Sequence, residues 1–113
     1  MYKLYALWSA PKPEDTEAFE EHYLNVHVPL ASKAPNLERI VMTKTGDSFE
    51  GNEAPVYRIA EMVFPSAEAL HEAEQSEEWA ATRADAGEMI ERFGVTLDVA
   101  MGSEVVGEIP ARS

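Results

Sequence analysis

The sequence predicts an α+β domain in which strands and helices follow the order β-α-β-β-α-β. Four short segments are rich in branched and aromatic residues, and two longer segments repeat apolar residues at helical spacing. This order is that of the ferredoxin-like fold, a four-stranded antiparallel sheet with helices on one face. The 113 residues match one such domain, 1–113, with residues from about 107 to 113 expected to form a loose tail.

The first half of the chain contains two predicted strands and one helix. Residues 2–8 are rich in aromatic residues and form the first strand. The helix starts at Pro13, with acidic residues in its first turn. We expect it to end or kink near residues 25–28, because the ring of Pro29 would clash with a carbonyl one turn earlier. Residues 37–46 form the second strand.

The second half repeats the pattern with a helical region that is broken in two. Residues 56–64 form the third strand. Ser66 caps a short helix, Ser76 caps a longer one, and Gly94 ends it. Residues 95–101 alternate apolar and other side chains and form the fourth strand.

The predicted sheet has apolar residues on both faces. In the first strand, Leu4, Ala6 and Trp8 alternate with Tyr5 and Leu7. Helices cover one face only, so a second copy packed sheet to sheet would bury the other face. We therefore expect a homodimer.

The composition argues against several function classes. The formal net charge of −12 would repel nucleic acid and anionic membrane surfaces. The absence of cysteine excludes disulfides and thiolate chemistry. No apolar segment is long enough for a secretory signal or a membrane span, so a cytoplasmic protein is expected.

Two histidines, His22 and His27, lie five residues apart in the first helix. On an α-helix this spacing points them about 140° apart, which argues against a shared metal ion. His71 lies in the other helical region. No glycine-rich phosphate loop or activated serine motif is present, so neither a metal nor a cofactor is expected.

His27 is the candidate for general acid/base chemistry. It continues the apolar face of Phe19 and Tyr23 to the end of the helix. There, unpaired carbonyls favour the protonated ring and burial favours the neutral one, a balance that suits proton transfer near neutrality. Alternatively, His27 caps the helix by donating to a backbone carbonyl. His22 is expected at the edge of the face, in a structural role.

Tyr23 and Trp79 are the candidate substrate-binding residues. Each has a large ring with one polar atom on the predicted core side of its helix. Either they pack the core or they line a pocket between helices and sheet.

Residues 19–37 resemble the EthD family of the dimeric α+β barrel superfamily. The hallmark of that family is an aromatic-x3-Tyr-x3-His-x-Pro-Leu run followed by Pro-Gly-Leu, here Phe19, Tyr23, His27, Pro29, Leu30, Pro35 and Leu37. Asn36 stands where glycine is usual and can adopt the same left-handed conformation. Residues 64–85 are similar to the second helical region of the family, while Arg92-Phe93-Gly94 replaces its common aspartate-glycine segment.

The resemblance implies a dimer closed by two sheets and a small apolar pocket between each sheet and its helices. It maps the family's histidine onto His27. It also implies an enzyme without cofactor, like the monooxygenases, isomerases or cyclases of the superfamily, acting on an apolar or aromatic small molecule in a catabolic or biosynthetic pathway. Two alternatives are an accessory protein that only binds a hydrophobic metabolite, and a haem protein with His27 or His71 as ligand.

Overall fold

A computed structural model describes residues 1–112 and contains a four-stranded antiparallel sheet. Its strands, in the spatial order β2-β3-β1-β4, are β1 (Tyr2–Trp8), β2 (Arg39–Lys44), β3 (Arg58–Phe64) and β4 (Leu97–Ser103). The predicted ferredoxin-like α+β fold is confirmed. β4 lies two residues later than predicted because it pairs with β1 along its whole length. Residues 104–112, which include 107–112 of the predicted tail, have no regular structure, and Ser113 lies outside the described residues.

Five helical segments lie against this sheet. They are α1 (Thr16–His22), a π-helical turn (Tyr23–His27), α2 (Val28–Ala31), α3 (Ala67–Ala73) and α4 (Glu77–Phe93). The hydroxyls of Ser66 and Ser76 accept hydrogen bonds from backbone N–H groups in the first turns of α3 and α4, as predicted. Gly94 ends α4 in the left-handed conformation, with φ 66°.

The α-helix that carries His22 and His27 is interrupted near residues 25–28, where an end or a kink was expected, but the helix does not end there. It passes through the π-helical turn and continues to Ala31. Within the π turn the backbone N–H of Val28 donates to the carbonyl of Tyr23, five residues earlier. This wider pattern moves the carbonyl groups out of the positions at which a proline ring clashes, so Pro29 is accommodated.

The register of the sheet sorts its side chains between two faces. Leu4 pairs with Met62 and Trp8 with Arg58, and these residues face the helices and are buried. The opposite surface, called the open face here, carries half-buried apolar residues: Tyr5, Leu7, Val41 and Ile59. The two hydrophobic clusters of the core therefore lie between sheet and helices, and the apolar open face has no layer over it in the described chain.

Candidate active site

A stack of three rings runs along the helix that faces the end of β1. Phe19 and Tyr23 stack with centroids 5.8 Å apart, and Tyr23 and His27 with centroids 6.1 Å apart. Trp8 meets all three edge-on at 5.4–6.2 Å. Each partner restricts ring rotation, so the apolar spacing noted in the sequence becomes a rigid support for His27.

His27 is held by a buried carboxylate on the neighbouring helix. Its Nδ1 lies 2.9 Å from Oδ2 of Asp85 in α4, and both residues are buried. An ionised carboxylate only accepts hydrogen bonds, so Nδ1 of His27 donates and the neutral ring has its free lone pair on Nε2. Nδ1 therefore binds Asp85 and not a backbone carbonyl, which removes the helix-capping alternative for that nitrogen.

His22 binds the same carboxylate, contrary to the directions expected from the sequence. Its Nε2 lies 2.9 Å from Oδ1 and 3.1 Å from Oδ2 of Asp85. The expected separation of about 140° assumed α-helical geometry. The π turn closes with i→i+5 hydrogen bonds, which bring residues five apart onto nearly the same side. The two histidines therefore lie on either side of one aspartate.

Sequence reasoning missed Asp85, although a signal was present. Thr82, Asp85, Met89 and Phe93 are spaced by three, four and four residues, so the acid lies within the apolar stripe of α4. An acid in such a stripe is buried and needs a partner. The partners lie on a helix about sixty residues earlier, which is why spacing alone could not identify them.

A cavity of about 420 Å³ opens beside His27, between the sheet and α4. Its volume is in the range typical of small-molecule sites. Tyr23 and Trp79 line it together with His27, so both predicted rings border a pocket while also packing in the core. Val99 and Met101 of β4 line the cavity and are 51% and 41% exposed, because no helix within residues 1–112 covers this part of the edge strand. The cavity is thus open along β4.

Besides His27 and Tyr23, three polar residues line the largely apolar cavity: Glu74, Thr82 and Arg83. The Nε2 atom of His27 has no hydrogen-bond partner among residues 1–112, and neither has the buried hydroxyl of Tyr23. Burial lowers the pKa of His27 below its usual 6.5, although the hydrogen bond to Asp85 acts in the opposite direction. His27 is therefore neutral near pH 7. Burial raises the pKa of Tyr23 to about 12, so its hydroxyl keeps its proton.

A second polar cluster fixes α1 to β3 beneath the ring stack. Arg58 is buried and donates to both carboxylate oxygens of Glu20, which also accepts from the Tyr57 hydroxyl at 3.0 Å. Arg58 thus points into the domain and not to water. Its guanidinium lies 5.1 Å from the centroid of the Tyr23 ring, which adds a cation–π contact to the stack.

The remaining candidate ligands lie elsewhere or lack metal-site geometry. Within residues 1–112, no group of three or more His, Asp or Glu side chains has the geometry of a metal site. His71 is exposed on α3, where Nδ1 lies 2.8 Å from Glu74, and it does not line the cavity. Over the same part of the chain, no helix is long and apolar enough to cross a membrane.

Comparison with known proteins identifies the family. The EthD domain family matches residues 11–92, which include the ring stack, both histidines and Asp85. The chain belongs to the EthD domain family.

Individual relatives agree with this assignment. An uncharacterised 11.0 kDa protein from the thcB-thcC intergenic region of Rhodococcus erythropolis is 36% identical over 66 residues. That match covers 58% of this chain and 61% of the relative, so the chain spans less than two thirds of that relative's length. The crystal structure of an EthD family protein from Bacillus halodurans is 32% identical, with TM-score 0.74, and covers 93% of this chain and 99% of that one.

A more distant structure supports the fold alone. A dimeric ferredoxin-like protein from an uncultured marine organism has TM-score 0.62 at 16% identity. The match covers 97% of this chain and 100% of that protein. The shared ferredoxin-like architecture is thus retained where sequence similarity has largely disappeared.

Proposed function

We propose that this EthD protein is an enzyme that acts on an apolar or aromatic small molecule, with His27 as general acid/base. The observation that carries the proposal is the pairing of His27: Nδ1 is bound by buried Asp85, while Nε2 has no partner in the described chain and the ring borders the cavity. A neutral imidazole oriented by a carboxylate is a common arrangement for proton transfer.

The cavity suggests the chemistry of the substrate. Its walls are largely apolar, and the partly exposed ring of Trp79 offers a flat surface to a planar molecule. The substrate would place an acidic C–H or O–H group about 3 Å from Nε2 of His27. The proton moves to Nε2, and the imidazolium that forms is stabilised by the Asp85 carboxylate.

The test begins with the molecule that the protein binds. Ligand released from the purified protein, or depleted from a cell extract by it, is identified by mass spectrometry. It is then incubated in D2O with the wild-type protein and with His27→Gln. We expect turnover or deuterium incorporation with the wild type only. Equal activity of a folded His27→Gln variant would reject His27 as the acid/base.

The second candidate is a carrier that binds a hydrophobic metabolite without changing it. The openness of the cavity along β4 favours this candidate, because exposed Val99 and Met101 leave a route for exchange of an apolar ligand. If the protein is a carrier, the wild type and His27→Gln should both retain the ligand stoichiometrically, and neither should incorporate deuterium into it.

We further propose a homodimer that is closed through the open face of the sheet. Tyr5, Leu7, Val41 and Ile59 form an apolar surface there that a second copy would remove from water. The likeness to a protein described as a dimeric ferredoxin-like protein supports this assembly. The cavities lie on the other side of the sheet, so the dimer would leave both of them accessible.

A further inference from the structure

We propose that His22 is a positioning residue that acts on His27 through the carboxylate of Asp85, which both rings share, so that a positive charge on His22 disfavours a second one on His27. The inference rests on the proposed function of His27 and assigns a second histidine to the same site. It follows from hydrogen-bond geometry, from burial and from the number of charges that one carboxylate can balance.

The hydrogen bonds determine where the ring protons lie. Asp85 accepts from His27 Nδ1 at 2.9 Å and from His22 Nε2 at 2.9 and 3.1 Å. Both bonds require a proton on the nitrogen concerned, because the carboxylate has none to donate. The neutral His27 therefore keeps its lone pair on Nε2, and the neutral His22 keeps its lone pair on Nδ1.

Burial distinguishes the two rings. The His22 side chain is 19% exposed, against 10% for His27 and 7% for Asp85. His22 also borders a separate surface hollow of about 240 Å³, whereas His27 borders the main cavity. Charging the better hydrated ring costs less free energy, so a positive charge is less unfavourable on His22 than on His27.

One carboxylate balances one imidazolium. Once His22 is charged, Asp85 is neutralised as a counter-ion, and a second proton on His27 would be placed close to an existing positive charge. Because both rings share Asp85, a positive charge on His22 disfavours one on His27.

No other charged group within residues 1–112 contacts both imidazole rings as Asp85 does. Around His27, Tyr23 is uncharged, and Arg58 beyond it is already paired with Glu20. Glu74 and Arg83, which also border the cavity, carry opposite charges. Around His22, the surface hollow is bordered by Glu21 and by Arg92, whose guanidinium lies 4.5 Å from the centroid of the Phe93 ring. Glu21 and Arg92 carry opposite charges, and Asp85 is the acid that contacts both imidazoles.

The test is an NMR titration of the imidazole nitrogens in the protein without added ligand, for the wild type, His22→Gln and His71→Gln. Gln at position 22 can still donate to Asp85 but cannot be charged. We expect the titration midpoint of His27 to rise by about 0.5–1 pH unit in His22→Gln, because a like charge has been removed. His71→Gln is the control and should leave the midpoint unchanged, since His71 is exposed on α3, where it pairs with Glu74, and does not border the cavity.

An unchanged His27 midpoint in folded His22→Gln would overturn the proposal, and a purely structural role of His22 predicts that result. If His22→Gln does not fold, the wild type alone decides. We expect the His27 nitrogen shifts to follow two steps, one coincident with the titration of His22, and a single independent step would refute coupling. Neither readout needs turnover, so failure of the proposed function would be seen separately in the D2O experiment.

Discussion

At the residue scale, Asp85 determines most of the properties of this site. It is 7% exposed, and its two oxygens accept from both imidazole rings. A buried carboxylate without such donors would be strongly unfavourable, and the histidines without the carboxylate would lose their orientation. The three side chains therefore depend on one another for both stability and chemistry.

Replacement of Asp85 by Asn tests this dependence. The amide cannot serve as a counter-ion and presents an NH2 group to one of the two rings. We expect the free energy of unfolding to fall by about 1–3 kcal/mol, as for other buried groups left without a partner. Urea denaturation measures the change, and Asp47→Asn at an exposed loop position serves as the matched control. An equal, small effect of both substitutions would contradict a special role for Asp85.

The depressed pKa of His27 predicts how stability depends on pH. The unfolded chain protonates this residue near pH 6.5, and the folded protein protonates it only at lower pH. Stability is therefore lost as the pH falls below about 6.5, by at most about 1.4 kcal/mol per pH unit for one group. Thermal denaturation between pH 7.5 and 5.5 should show the decline, and His27→Gln should reduce its slope. Identical slopes would indicate that His27 does not titrate as the structure predicts.

Glu20 adds a second acid-sensitive contribution at lower pH. Burial alone would raise its pKa, but the hydrogen bonds from Arg58 and Tyr57 outweigh burial and lower it below 4.5. Its stabilising contribution is present above that value and is lost as the pH falls through the folded pKa. As the pH falls, protonation of His27 and then of Glu20 therefore each lowers the stability of the folded protein.

At the element scale, the π turn and α4 decide the geometry of the site. The π turn brings His22 and His27 to the same side of their helix, and α4 supplies Asp85 between them. π turns are often found at functional sites, where they redirect side chains that a regular helix would separate. Here the redirection creates the shared carboxylate.

Gly87 within α4 and Gly94 at its end predict opposite effects of alanine on stability. Gly94 has φ 66°, whereas Gly87 lies in the helix interior, and a Cβ at either position meets no atom within 4 Å. We expect Gly94→Ala to destabilise the protein by about 1 kcal/mol because of its left-handed backbone. Gly87→Ala should stabilise it by about 0.5–1 kcal/mol through helix propensity.

Urea denaturation of both alanine variants at one pH measures the difference. A stabilising Gly94→Ala would be inconsistent with the left-handed helix end. Gly87 also borders the cavity, so a change in ligand affinity without a change in stability would indicate a different reason for glycine there.

At the scale of the whole molecule, the sheet has two unlike faces. One carries the core and the cavity, and the open face carries apolar residues without a covering layer in the described chain. The proposed dimer explains why the open face is apolar, because sheet-to-sheet packing would bury that face and leave the helix-covered face unchanged.

Leu7→Glu tests the dimer. The substitution places a charge in the centre of the open face and should give a monomer, since burying it without a partner is unfavourable. Sedimentation velocity measures the mass, and Leu24→Glu on the helical side, where Leu24 is 44% exposed, is the control that should remain dimeric. A wild type that is already monomeric at micromolar concentration would reject the assembly.

The sequence by itself determined the fold class, since hydrophobic periodicity, serine caps and glycine ends are local properties. The four strands, the caps at Ser66 and Ser76 and the left-handed Asn36 (φ 66°) are found as predicted, with only strand ends displaced. It also directed attention to His27, through its place on the apolar face and the EthD resemblance.

The partners of His27 were decided only by the tertiary structure. Asp85 reaches His22 and His27 because two helices distant in sequence pack together, and the histidines converge because a π turn replaces an α turn. Neither feature is encoded in a local pattern. The contact with Asp85 depends on how two helices pack side by side on one face of the sheet, and the π turn depends on how the backbone accommodates Pro29. Periodicity assumes regular geometry, and this site is built where that geometry is interrupted.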